Sequence, residues 1–237
     1  MFFPKLNAGN NAPRSNVNMA VNSAMIAAVP AIAPAETVMN IAELVYDSLQ
    51  LENVGLTKEA LEYGIKGHQN LVNEGAIKNP DIITICDFSQ SSSKKRLYVI
   101  DLNNYELLMN TYVAHGKNSG GQYATKFSNK PESFQSSLGF YVTDKTYRGE
   151  HGLSLRIDGL DRGFNDRAYQ RAIVVHGSDY VGDQRLSSAN GMGRSYGCPA
   201  VPQPLVKKLI NTIKDGTCLF IYHPSEKYLN GSRILNS

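Results

Sequence analysis

A chain of 237 residues with three cysteines, a formal net charge of +3 and charged side chains at only 19% of positions is long enough to bury a full core without disulfide or metal staples. Its basic residues are spread, with no long basic run and no basic helix, which excludes nucleic acid as an expected partner. No stretch approaches the roughly 18 uninterrupted apolar residues of a membrane-crossing helix, so no transmembrane span is expected.

At the start, Lys5 and Arg14 precede a moderately apolar stretch, Met19 to Ala33, which closes on the small-residue pattern Ala31-Ile32-Ala33-Pro34-Ala35. Positive start, apolar middle and small residues at a cut make residues 1–35 read as a secretory signal, and the chain as exported. A disordered N-terminal tail stays open as the alternative, because Asn22, Ser23 and Pro30 interrupt the apolar part. Residues 36–79 then form an N-terminal helical element. Val38, Ile41, Leu44, Val45 and Leu49 follow helical spacing up to Leu51. Thr57 offers an N-cap for a second helix carrying Leu61, Ile65, Leu71 and Val72, stopped by Gly75. His68 on that helix reads as a solvated or partly buried side chain.

After Pro80 the pattern turns to strands, and residues 80–237 make the main domain. Ile82–Cys86 and Leu97–Leu102 flank the polar turn Gln90–Lys95, and Asn103-Asn104 turns the chain into Tyr105–Ala114. Gly139–Thr143, Leu153–Ile157, Ala172–His176 and Cys218–Tyr222 follow, each bounded by turn residues. One helix, Pro204 to Asp215, carries Leu205, Leu209, Ile210 and Ile213 and stops at Gly216. Many short strands with one late helix indicate a mainly β domain. Cys86 and Cys218 sit in apolar runs, as inert buried thiols or, in an exported chain, as a disulfide.

Cys198 differs from both, because its neighbours are Ser195, Tyr196, Gly197 and Pro199 rather than a packed run. Upstream, Ala172-Ile-Val-Val175 reads as a buried strand from which His176 emerges, followed by Gly177. A thiol with a base in reach and free backbone N–H groups beside it is what acyl transfer requires. In this reading Cys198 is the nucleophile and His176 the base. The Gly177 carbonyl fixes the imidazole tautomer, and the N–H groups of Tyr196, Gly197 and Cys198 form the oxyanion hole. Pairing with histidine lowers a thiol's pKa, so a thiolate near neutral pH is expected.

Arg194 is a candidate for holding a substrate carboxylate through its planar fork, against an exposed charge as the plain alternative. Ser195 is a further substrate-binding candidate, against a loop-stabilising hydroxyl held by a local hydrogen bond as the stronger alternative. His151 and His115, each followed by glycine, are candidates to line the cleft or to be satisfied structural side chains. Two rivals stay open. One assembles His115, His151, His176 and Cys198 as a zinc hydrolase site, although no pair has metal-site spacing and no His-Glu-x-x-His helix exists. A binding module without turnover is the other.

His176-Gly177 followed by Ser195-Tyr196-Gly197-Cys198-Pro199-Ala200 resembles the motif of the L,D-transpeptidase catalytic domain (the YkuD type), most closely its murein L,D-transpeptidase branch. Ala114–Lys117, Ser137–Tyr141, Gly149–Leu155 and Gly159–Gly163 extend the resemblance, which runs over roughly residues 80 to 223 and leaves the N-terminal helices outside. Tyr196 stands where many members carry a second histidine, and the His176-to-Cys198 loop is longer than usual. The resemblance implies a β-sandwich of that type and an enzyme without metal or other cofactor, exported to the periplasm or cell envelope. It implies peptidoglycan stem peptides as partners. Cys198 would attack the third residue of a tetrapeptide stem, expel D-alanine, and pass the acyl group to a second stem in a 3–3 crosslink. Water as acceptor would make it an L,D-carboxypeptidase. Family members are acylated by carbapenems, and the same is implied for Cys198.

Overall fold

The computed structural model describes residues 35–187 and 191–237, so the expected signal or tail over residues 1–34 lies outside the described residues. Two helices, α1 (Ala35–Ser48) and α2 (Lys58–Asn73), open this part of the chain. The predicted cap is present: the Thr57 side chain accepts from the Ala60 N–H at 3.3 Å. Eight strands follow: β1 (Ile82–Asp87), β2 (Leu97–Asp101), β3 (Glu106–Thr111), β4 (Gly139–Gly149), β5 (Gly152–Gly159), β6 (Val174–Ser178), β7 (Ala200–Pro202) and β8 (Cys218–Tyr222). Helix α3 (Val206–Ile213) connects β7 to β8, and a further short helix, α4 (Glu226–Gly231), follows β8. The expectation of a single late helix therefore falls short by α4.

All eight strands join one mixed sheet in the order β3-β2-β1-β8-β4-β5-β6-β7. Pairing is antiparallel except between β1 and β8 and between β6 and β7. The sheet curls until its two edges meet. The segment after β3 reaches the far edge through an antiparallel bridge from Ala114 to Ala200 and a parallel one from Gly116 to Ser195. The mainly β domain is thus one nearly barrel-like sheet, and the residues singled out at its seam, Ser195 to Ala200, owe their position to that closure.

Strands β1 and β8 are buried at every position, the pattern of strands covered on both faces. Helix α2 supplies part of that cover and comes close because two glycines face the sheet. A Cβ on Gly64 would stand 3.0 Å from Ile85 Cδ1, and one on Gly67 only 2.0 Å from the Phe140 ring. Phe140 stacks on Phe220 with ring centres 4.1 Å apart. The element expected over residues 36–79 therefore shares its core with the strands. His68, on the same helix, is 5% exposed with Nε2 unpartnered; it is neither solvated nor half-buried.

The cysteine alternatives are resolved by register. Cys86 pairs with Ile221 and Cys218 with Ile83, three residues apart along neighbouring strands, and both thiols are free and fully buried. Burial pushes the Cys86 thiol up to about 12 and the Cys218 thiol up as well. The Cys86–Cys218 disulfide is therefore absent, and these thiols are inert.

Candidate active site

His176 lies in the middle of β6, paired with Ser154 of β5 on one side and with Ala200 of β7 on the other. It is 2% exposed. Its Nδ1 is 3.0 Å from the carbonyl oxygen of Gly177. A carbonyl only accepts, so Nδ1 carries the proton and Nε2 keeps its lone pair for base chemistry. Gly177 is closely packed: a Cβ there would stand 2.4 Å from Gln203 Oε1 and 2.9 Å from Val206 Cγ1. The His151 ring, exposed at the β4–β5 turn, stacks on His176 with centres 4.3 Å apart and planes 20° from parallel. Burial holds the His176 imidazole below its usual value, the Gly177 bond works against this, and His151 adds to it.

The loop bearing Cys198 is pinned from several sides. The Ser195 N–H donates to the His115 carbonyl at 3.1 Å, and the Ser195 carbonyl accepts from the Lys117 N–H at 2.8 Å. The Ser195 hydroxyl donates to the Cys198 carbonyl at 2.6 Å and accepts from the Gly197 N–H at 3.1 Å. Ser136 Oγ donates to the Gly197 carbonyl at 3.1 Å. Gly197 itself has φ of +126°, and a Cβ there would meet the Gln135 carbonyl oxygen at 2.8 Å, so glycine is required. The His176 N–H donates to the Pro199 carbonyl at 3.4 Å, which sets the Cys198 loop alongside β6. Ser195 thus does what a loop-stabilising hydroxyl is expected to do.

Two expectations about this pair change. Cys198 is partly exposed, and its Sγ lies 3.7 Å from the Ala172 carbonyl oxygen at the entry to β6. Burial pushes its thiol up, opposed by a backbone hydrogen bond from Val174 and by the charge of Arg171. With the imidazole held down and the thiol held up, the resting pair is neutral, and the thiolate expected near neutral pH is not the resting form. Of the three N–H groups assigned to an oxyanion hole, that of Gly197 is already donated to Ser195 Oγ. Those of Tyr196 and Cys198 make no hydrogen bond among the described residues.

Arg194 does not offer a fork to a ligand. Its five N–H donors go to the carbonyls of Gly121 (twice), Met192 and Gly193 and to Ser92 Oγ, so it staples the loop before Ser195 to the loop around Gly121. His115 does not line the cleft either. It is fully buried, with Nδ1 accepting from Arg96 at 2.8 Å and Nε2 donating to the Gly120 carbonyl at 3.2 Å. Burial, reinforced by Arg96 and Arg194, holds its imidazole down to about 3. With both ring nitrogens committed, His115 cannot join His151, His176 and Cys198, and among the described residues no three His, Cys, Asp or Glu side chains are grouped to hold a metal ion.

Arg171 was not singled out by the sequence, where nothing sets it apart from Arg167. It donates to the Ser128 carbonyl at 2.7 Å, the Gln135 carbonyl at 2.6 Å, Ser133 Oγ at 3.2 Å and Ser137 Oγ. One of its nitrogens would lie 3.2 Å from a Cβ on Gly197. A guanidinium caged by neutral acceptors thus stands directly behind the loop that carries Cys198. The arrangement can take a proton from a thiol at Nε2 of His176 and offer two N–H groups and a nearby cation to the charge that develops.

Residues 52–222 match the L,D-transpeptidase catalytic domain family. The match takes in α2, which the sequence resemblance had left outside. Among curated proteins none matches this chain. Among solved structures the chain is similar to an L,D-transpeptidase from Mycobacterium smegmatis, at 11% identity and a TM-score of 0.37 over 60% of this chain and 59% of that one. An L,D-transpeptidase from Mycobacterium tuberculosis H37Rv gives 13% identity and a TM-score of 0.35, covering 60% and 58%. The helical cell shape determining protein Pgp2 from Campylobacter jejuni gives 13% and 0.38, covering 61% and 48%. The chain therefore spans three fifths or less of the length of each of these three structures.

Proposed function

We propose that this chain, which belongs to the L,D-transpeptidase catalytic domain family, is a cysteine-dependent peptidoglycan L,D-transpeptidase acting in the cell envelope. The observation that carries this reading is the β6–β7 pairing. It sets a tautomer-fixed base, His176 with Nδ1 on the Gly177 carbonyl, beside the loop that carries Cys198. No helix among the described residues is long and apolar enough to cross a membrane.

The reaction runs from a neutral pair. His176 Nε2 takes the thiol proton as Cys198 Sγ attacks the carbonyl carbon of the third residue of a tetrapeptide stem. The N–H groups of Tyr196 and Cys198 receive the oxyanion, and Arg171 lies behind them. Collapse breaks the bond to the terminal D-alanine, whose amine leaves with the proton from His176. The thioester is then attacked by the side-chain amine of a second stem, which passes its proton through His176 back to Sγ and leaves a 3–3 crosslink. Water in place of that amine yields a tripeptide, the L,D-carboxypeptidase outcome.

The test is mass spectrometry of disaccharide-tetrapeptide after incubation with the full chain and with its Cys198→Ala variant. Crosslinked dimer with loss of D-alanine, dependent on Cys198, is the expected result. Tripeptide alone makes the enzyme a carboxypeptidase, and unchanged tetrapeptide removes the donor assignment. Slow alkylation of the resting thiol does not favour a binding module without turnover, because the neutral pair accounts for it.

A further inference from the structure

Arg194 and Arg171 spend their donors on carbonyls and hydroxyls. Lys117 does not. Its backbone N–H is bonded to the Ser195 carbonyl, so it is fixed in register with the loop, while its side chain is exposed. The ammonium sits 4.2 Å from the centre of the Phe134 ring and 4.3 Å from that of Tyr196. Those two rings are themselves 5.0 Å apart, and Tyr196 is 67% exposed. No carboxylate lies within ion-pair distance of Lys117 among the described residues.

Two π faces hold a lysine without neutralising it. They restrict a side chain that would otherwise lose rotamer entropy on binding, and they leave its ammonium exposed. A pre-placed, unpaired ammonium over the ring of Tyr196, two positions before Cys198, is a receptor for an anion, and of neutral, cationic and anionic ligands only the last gains from it.

We propose that Lys117, seated on Phe134 and Tyr196, docks a carboxylate of the donor stem peptide beside Cys198. This rests on the reading of stem peptides as substrates, and it assigns to Lys117 the carboxylate contact that Arg194 cannot make. Tyr196, standing where related chains place a histidine, then serves as one wall of the lysine's seat.

The test is calorimetric binding to full-length Cys198→Ala protein, which binds without turnover. The ligands are the free-acid tetrapeptide and analogues amidated at one carboxyl each. Adding Lys117→Met, which keeps the aliphatic stem on the rings, should weaken the free acid about fivefold to tenfold, and Lys117→Arg should restore most of it. One amidated analogue should bind the parent as weakly as the free acid binds Lys117→Met, with no further loss in that variant. Raising the salt should narrow the gap between parent and variant. Equal losses across the free acid and every analogue, no loss in Lys117→Met, or no binding of the tetrapeptide to the parent overturns the proposal. Failure of turnover with Lys117-dependent binding intact would instead count against the transpeptidase reading alone.

Discussion

Acid should unfold this protein through His68 before it titrates most of its carboxylates. The side chain is 5% exposed on the face of α2 turned to the sheet; its one hydrogen-bond partner is the Pro80 carbonyl, and Nε2 meets none. Protonation would create a buried cation with an unsatisfied donor, so burial holds the imidazole down to about 4. In the unfolded chain the ordinary value of about 6.5 applies. Between those values the unfolded state binds more protons, so stability rises with pH there. The contribution is complete above about 6.5 and is lost as pH falls through about 4. A difference of about 2.5 pKa values at 1.36 kcal/mol each gives about 3 kcal/mol in all, of which about 2 kcal/mol is gone between pH 7 and pH 5. Urea unfolding at pH 7, 6, 5 and 4 should show this loss, and His68→Phe, which cannot protonate, should flatten the profile by that amount. Identical pH slopes for the parent and His68→Phe would refute the reasoning.

Gly67→Ala should destabilise despite the better helix former: alanine gains about 1 kcal/mol of propensity, but its Cβ would lie 2.0 Å from a Phe140 ring that is stacked on Phe220 and cannot yield. A net loss of about 1–2 kcal/mol is expected from overpacking, read as a fall of about 5 °C in Tm; an unchanged or higher Tm would be contrary. Arg171→Gln should push the Cys198 thiol higher and slow acyl-enzyme formation about tenfold, with the alkaline limb of the rate–pH profile moved to higher pH; an unmoved limb would free Arg171 of any electrostatic part. Alkylation of resting Cys198 by iodoacetamide should lag behind an ordinary thiol at pH 7, which is only about 3% thiolate there, and should keep rising above pH 8. A rate plateau already reached below pH 7 would mean an ion pair in place of the neutral one.

Much of this fold could be read from pattern because its strands carry strong signals. Cys218–Tyr222 is five consecutive apolar or aromatic residues between turns and is β8 without a boundary error. Strand β7 was missed because Ala200-Val201-Pro202 is too short to show any period, and it exists only through its pairing with His176, Gly177 and Ser178. Helix α4 was missed because only Tyr228 of its six residues is buried; what holds it is the Tyr228 hydroxyl and Ser232 donating to buried Asp161, a contact between residues about seventy positions apart. At the site, the residue types that chemistry needs, His176 and Cys198, stood out by context. The roles of Arg194, His115 and Arg171 depend on which carbonyls close around each side chain, and no local pattern carries that.

Those three environments have a common physical consequence. Arg96, Arg171 and Arg194 surround the loop that carries Cys198, and none has a carboxylate partner among the described residues. Arg96 is fully buried, donates to the Val113 and Gln90 carbonyls and to His115, and is held down to about 9. Through His115, whose carbonyl accepts from Ser195, it ties the β2 side of the barrel to the loop. A carboxylate at any of these sites would bind the same donors more strongly, but it would also cancel the positive field at Cys198. Neutral carbonyls satisfy the donors and leave most of that field in place. The resting thiol stays protonated because it is half-sheltered, yet in the proposed reaction the charge that would form on sulfur and then on the carbonyl oxygen meets dipoles and cations already fixed in position. Such a site favours the transition state over the ground state. The proposed mechanism then asks as much of the loop's rigidity, set by Ser195, Ser136 and Gly197, as of the thiol itself.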